Sequence, residues 1–246
     1  MKVINLSGMN QTMARLPNFI CVGAQKAGTT WLYRQLEKHP QIYMRLKEIN
    51  YFHKLYDTAW YAAHFRDARS DQICGDISPN YGAFRHVSKK IHDECPNVQI
   101  LHFLRNPVDR AFSQWRMARY LGNIPRELSF IDCFRQNLQY MRQRGEYFCI
   151  IEEYARYFPL NNQSRVFWYD DIRLKPDRLI VDVLSFIGVD HLWQSPYLSE
   201  VVWPSPDPGR ISRADALEVK AYYEPFDMRL RQLLRITYLP WDGCSG

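Results

Sequence analysis

The sequence lacks every spacing that commonly holds a metal or a disulfide framework. Its six cysteines, at 21, 74, 95, 133, 149 and 244, form no Cys-x-x-Cys pair and no Cys/His ligand pattern. No metal site is expected. Cys21 and Cys74 stand in apolar runs, where free cysteine behaves as a small hydrophobe. They read as reduced thiols, which makes a cytoplasmic location the expectation. No apolar stretch approaches the length of a membrane span, and the first residues lack the hydrophobic segment of a signal peptide. No membrane segment is therefore expected in this chain, although it would not reveal an anchor further upstream. A long Lys/Arg block is also missing, which argues against a nucleic-acid-binding arm. Internal repeats, low-complexity tracts and domain linkers are absent too.

What remains is the composition of one packed domain: 246 residues, 46% hydrophobic and 24% charged. Residues 1–16 show no periodicity and read as a loose lead-in to a domain over 17–246. The net charge of +6 favours anionic ligands, and the 15% aromatic content suggests ring-lined clefts as well as a core.

The organising stretch begins with the apolar run Phe19–Val22, a buried strand that breaks at Gly23. The turn Gly23-Ala-Gln25-Lys26-Ala27-Gly28 leads into a helix opening with Thr29 and Thr30. A strand, a tight turn and a helix N-terminus leave backbone N–H groups aimed at one spot, where the helix dipole also favours negative charge. The spacing is close to the nucleotide-binding G-x-x-x-x-G-K-[ST], but Thr29 stands where the lysine belongs and Lys26 lies inside the loop. That placement argues against an ordinary ATPase or GTPase.

Strand–turn–helix patterning recurs along the chain. Strands are expected at Ile73–Ile77, Val98–Leu104 and Arg165–Tyr169. Helices are expected over 29–38, 83–94, from Val108 onward, over 132–144, 147–158 and 176–187, and as two terminal segments over 213–223 and 225–238, with Gly145 as a stop. Trp203 to Arg210, rich in proline, reads as a loop. The fold class is α/β: one domain, a central parallel sheet flanked by helices, with P-loop-like nucleotide-binding architecture. Such sheets bind ligands at the carboxyl ends of their strands, where both the glycine turn and Arg105-Asn-Pro fall. Arg105 offers a fork of donors to a phosphate, and Ser113, about two helical turns on, can add a hydroxyl.

Gly23-Ala-Gln-Lys26-Ala-Gly28-Thr29-Thr30-Trp31 and Leu104-Arg105-Asn-Pro-Val-Asp-Arg110-Ala-Phe-Ser113 together resemble the 5′-phosphosulfate and 3′-phosphate motifs of sulfotransferases that use 3′-phosphoadenosine-5′-phosphosulfate (PAPS). The resemblance leans toward the carbohydrate (heparan-sulfate-like) and bacterial branch, and runs from Phe19 to Leu234. Lys47-Glu48-Ile-Asn-Tyr51-Phe52 resembles that family's acidic catalytic segment, and Gly75-Asp-Ile-Ser78-Pro79-Asn-Tyr81 the segment after it. The resemblance implies a sulfuryl transfer from PAPS to a hydroxyl or amine of a small-molecule natural product or carbohydrate, without a metal. It implies Glu48 as base, with His53 and His102 as alternatives, and Lys26 on the bridging oxygen. Gly23, Gln25, Lys26, Ala27, Gly28, Thr29 and Thr30 would hold the 5′-phosphate end. Arg105 and Ser113 would hold the 3′-phosphate, with Gly209 and Arg210 as a clamp. Lys47, Tyr51, Tyr81 and Tyr147 would face the acceptor. Two other readings stay open: a nucleotide-hydrolysing or kinase-like P-loop enzyme, and a non-catalytic nucleotide- or glycan-binding module in which Glu48 is dispensable.

Overall fold

The computed structural model describes residues 15–54, 56–198 and 209–243. Five parallel strands form one sheet in the order β2-β3-β1-β4-β5. They are β1 (Phe19–Gly23), β2 (Ile42–Tyr43), β3 (Ile73–Ile77), β4 (Gln99–Leu104) and β5 (Ser164–Trp168). The connecting helices are α1 (Thr29–Leu36), α2 (Thr58–Ala62), α3 (His86–Glu94), α4 (Pro107–Tyr120), α5 (Phe130–Arg135), α6 (Tyr147–Ala155), α7 (Asp171–Leu174), α8 (Pro176–Ile187) and α9 (Arg213–Leu234).

Period-two alternation sends each central strand to both faces of the sheet. Phe19, Cys21, Leu101 and Phe103 pack on one side with α1 and α8; Ile20, Val22, Cys74 and Ile100 pack on the other with α3. A third cluster joins α4, α5 and α9 through Trp115, Phe130, Phe134 and Tyr223. Cys21, Cys74, Cys95, Cys133 and Cys149 are all free thiols. No helix among the described residues is long and apolar enough to cross a membrane.

Three local expectations need correction. The helix expected over 132–144 stops at Arg135, and Asn137, Gln139 and Tyr140 then adopt left-handed backbone angles. In this irregular stretch Gln139 O accepts from the Gln114 side chain and Met141 O from Arg110, which ties the segment to α4 instead of to a continuing helix. The two terminal helices are one, α9, with Pro225 inside it. Proline costs a helix one hydrogen bond but holds a helical φ, and Tyr223 and Leu230 are buried on either side of it. The lead-in is not loose at its end, because the Arg15 guanidinium donates to the carbonyls of Ala68, Arg69 and Gln72. Residues 1–14 and most of the proline-rich loop, 203–208, lie outside the described residues.

The long α9 carries a buried acid. Asp227 is 7% exposed and accepts a hydrogen bond from Trp241 Nε1 at 2.8 Å. Burial pushes its carboxyl up from 3.8 to about 6. The folded state therefore binds this proton more tightly than the unfolded chain, and the stabilisation is lost as pH rises from about 4 to about 6. At roughly 1.4 kcal/mol per unit the loss is about 3 kcal/mol. Asp227→Asn is expected to raise the neutral-pH melting temperature and flatten its fall across that window in thermal melts, since asparagine can still accept from Trp241.

Candidate functional site

The chain turns from β1 toward β2 and β3 on one side of the sheet, and from β4 toward β5 on the other. The carboxyl ends of β1 and β4 thus frame the crevice where open α/β sheets place ligands. The turn after β1 is built for close approach. Gly23 has φ +123°, and a Cβ there would lie 2.7 Å from the Pro79 carbonyl oxygen. Gly28 caps α1 with φ 87°, no side chain caps that helix, and Thr29 is buried behind it. The first-turn N–H groups are left for a ligand. Gln25 and Thr30 are half-buried on the same turn, and Ala27 is fully buried beneath it. Gly23→Ala should lower the melting temperature, because the turn is strained for a side chain and the Pro79 carbonyl must move.

Lys26 sits at the crest in the left-handed region, φ 71°, unusual for a residue with a side chain. Such strain persists only where surrounding structure holds it, and it concentrates at functional sites. The Arg105 guanidinium provides the hold, donating to Lys26 O at 3.2 Å and lying 4.4 Å over the Tyr169 ring. Arg105 Nε is buried without a hydrogen-bond partner among the described residues. On α4, Met117 Sδ accepts from Lys26 Nζ at 3.6 Å. Ser113 is half-buried one turn before Met117, on the same face. The Lys26 amine is held below its ordinary pKa, first by burial and then by the charges of Arg105, Arg116 and Lys47, with only Glu48 opposing. Among the described residues, the charges that act on the Lys26 amine are thus mostly positive, a setting that suits an anion.

Glu48 faces this group from the segment before the Tyr51–His53 turn. Its N–H donates to Ile77 O at 2.9 Å, its backbone is left-handed (φ 63°), and its carboxylate pairs with the Lys47 ammonium. The Glu48 side chain remains 38% exposed, open enough to meet a substrate. Below it, Asp76 is fully buried at the end of β3. Its carboxylate accepts from Ser78 Oγ at 2.6 Å and from the Tyr61 and Tyr81 hydroxyls at 2.9 Å each. Ser78 Oγ in turn accepts from Asn50 N at 3.0 Å.

The aromatic residues read as acceptor contacts lie deeper than that role needs. Tyr51, Tyr81 and Tyr147 are at most 2% exposed. Their hydroxyls are committed to Glu94, to Asp76 and to Arg105 O respectively, so they are core residues. The two histidines differ in setting. His102 is buried against Ser164 Oγ at 3.0 Å, with its pKa driven down to about 3 by burial, and the His53 ring stacks on Phe84. Gly209 and Arg210 are exposed just ahead of the Ser212 cap of α9. A cavity of about 710 Å³ starts at Asn106 and Asp109 and reaches Ile211, Lys220 and Trp241. Sequence reasoning singled out the segments holding Asp76, Asn50 and Asn80 without giving those three residues a task. Arg116, Arg144 and Tyr169 carried no motif signal beyond the types of their side chains.

The family profile described as sulfotransferase domain matches residues 16–195. The membrane-associated sulfotransferase kil1 of Dictyostelium discoideum is 37% identical over 109 residues, 42% of this chain and 23% of that protein. Mouse heparan sulfate glucosamine 3-O-sulfotransferase 6 is 30% identical over 157 residues, 60% of this chain and 45% of that protein. The chain thus spans less than half the length of either relative. Among solved structures, a sulfotransferase from Alicyclobacillus acidocaldarius superposes with a TM-score of 0.80 at 26% identity, covering 93% of this chain and 99% of that one.

Proposed function

The chain belongs to the sulfotransferase family, and from that premise we propose that it transfers a sulfuryl group from PAPS to a hydroxyl or amine of a small molecule or carbohydrate. The observation that carries the reading is Lys26. Its backbone is held in the left-handed region with Arg105 on its carbonyl, and its ammonium is disfavoured first by burial and then by neighbouring cations. A phosphosulfate offsets those charges. The acceptor atom attacks sulfur, the S–O bond to the bridging phosphate oxygen breaks, and its electron pair leaves with 3′-phosphoadenosine-5′-phosphate (PAP) while Glu48 takes the acceptor proton. Lys26 and the N–H groups of the α1 terminus stabilise charge as it builds on the departing oxygen. Arg105 and Ser113 bind the 3′-phosphate, and the unpartnered Arg105 Nε is a donor suited to it. The cavity that starts at Asn106 and Asp109, next to Arg105 in sequence, offers room for the nucleoside.

Melting curves test the donor. PAP binds only the folded chain and should raise the melting temperature, by about 2.7 kcal/mol of stability at a hundredfold excess over Kd. ATP with magnesium should do less. The reverse order overturns the reading. The acceptor is then sought by PAPS-dependent mass spectrometry of a metabolite extract, scoring the gain of one sulfuryl group.

A further inference from the structure

Arg144 lines a small cavity together with Gly23 and Gln25, is 9% exposed, and its groups are spent in an ordered way. It lies in the turn Gln143–Gly145, which is bolted to two helices. Arg110 of α4 donates to Met141 O at 2.6 Å, and the Tyr223 hydroxyl of α9 lies 3.2 Å from Met141 O and 3.1 Å from Arg142 O. A Cβ at Gly145 would meet the Tyr223 hydroxyl at 2.6 Å, so only glycine lets the helix sit so close. From this base, the Arg144 guanidinium donates to Gln139 O at 3.1 Å and to Asn80 Oδ1 at 2.9 Å.

The bond to Asn80 starts a chain. Asn80 Nδ2 donates to Asn50 Oδ1 at 3.2 Å, and Asn50 Nδ2 donates to Glu48 O at 2.9 Å. Both amide orientations are fixed by the ends of the chain: a guanidinium can only donate and a backbone carbonyl can only accept. All three bonds therefore point the same way, and each polarises the next. The chain ends on a residue in need of holding, because Glu48 is left-handed and glutamate is disfavoured there. Burial and the neighbouring Arg110 depress the Arg144 pKa to about 10, while the Glu48 charge supports it, so it stays a cation at neutral pH.

We propose that Arg144 is a positioning residue for Glu48, acting through Asn80 and Asn50 to hold the Glu48 turn in its left-handed form. The role of the turn rests on the reading of Glu48 as base; the chain itself does not.

Amide hydrogen exchange of the nitrogen-15-labelled protein, alone and saturated with PAP, tests it. Arg144→Gln is expected to speed exchange at the backbone amides of Glu48 and Asn50 by about tenfold, the cost of one lost hydrogen bond. PAP affinity should stay within about twofold. Asn80→Asp is the discriminating variant, because aspartate still accepts from Arg144 but has no proton for Asn50. The chain predicts the same faster exchange, and no further increase when Arg144→Gln is added. Exchange at 48–50 that is unchanged in Asn80→Asp, or additive effects in the double variant, overturns the proposal. A response in exchange combined with full transfer by Glu48→Gln would support the chain and remove the base.

Discussion

Glu48→Gln is expected to lower sulfuryl transfer by about 10²–10⁴-fold while leaving PAP affinity within about twofold. Glutamine keeps the length of the side chain and can still be packed beside Lys47, so the loss isolates the missing proton acceptor. The separation between chemistry and binding follows from placement. Glu48 is carried by the segment tied to β3 through Ile77 O, whereas the groups proposed to face the donor come from the turn after β1, the turn after β4 and α4. Arg105→Ala should give the opposite pattern, with weaker PAP binding first and a loss of preference for PAP over adenosine 5′-phosphate. Each charge-assisted bond to a phosphate is worth roughly 1.5–3 kcal/mol, about 10- to 100-fold in affinity. Calorimetry with both nucleotides, alongside initial rates of PAP formation with the acceptor found by mass spectrometry, separates the two variants. Transfer by Glu48→Gln at the wild-type rate would leave a sulfotransferase with some other base.

The order of elements was legible where local signals and tertiary packing agree. The helix at Pro176–Ile187 has a proline at its start, Gly188 at its end in the left-handed region, and one apolar face, all visible in sequence. The turn after β1 was equally plain, because Gly23, Gly28 and the following threonines admit few conformations. Legibility failed where distant side chains decide the backbone. Residues 136–145 leave the helix and are instead tied through their carbonyls to Arg110, Gln114 and Tyr223, contacts that a local pattern does not show. Pro225 reads as a break but sits within α9, because burial on both sides outweighs one missing hydrogen bond. The tyrosines failed for a related reason. A ring in a motif segment can line a cleft or anchor the segment from below, and only the partner of its hydroxyl distinguishes the two. For Tyr81 that partner is Asp76, so the ring supports the segment that carries Glu48.

That support leads to the largest expected effect on stability. Asp76→Ala is expected to destabilise the fold by about 4 kcal/mol or more in chemical denaturation, since it strands the hydroxyls of Ser78, Tyr61 and Tyr81 at roughly 1–3 kcal/mol each. Neither tyrosine can turn to water, both being fully buried. Tyr61→Phe and Tyr81→Phe each remove one donor and leave the acceptor satisfied by the others, so each should cost only about 1 kcal/mol. Asp76→Asn belongs between these limits. Burial raises the Asp76 pKa, with the three hydroxyl donors opposing, so its charge is held at a cost that a neutral amide avoids. Asparagine nevertheless turns one oxygen acceptor into a donor facing a hydroxyl. The expected order of stability is therefore wild type, then Asp76→Asn, then Asp76→Ala. If Asp76→Ala unfolds within 1 kcal/mol of wild type, the carboxylate does not hold this corner together. If Asp76→Asn proves the least stable, repulsion between donors dominates the site. The Ser78 link makes a second readout available, because Ser78 Oγ also accepts from the Asn50 amide. Loss of Asp76 should therefore loosen the Glu48 segment at denaturant concentrations well below global unfolding, seen as faster exchange at Asn50 before the strands open.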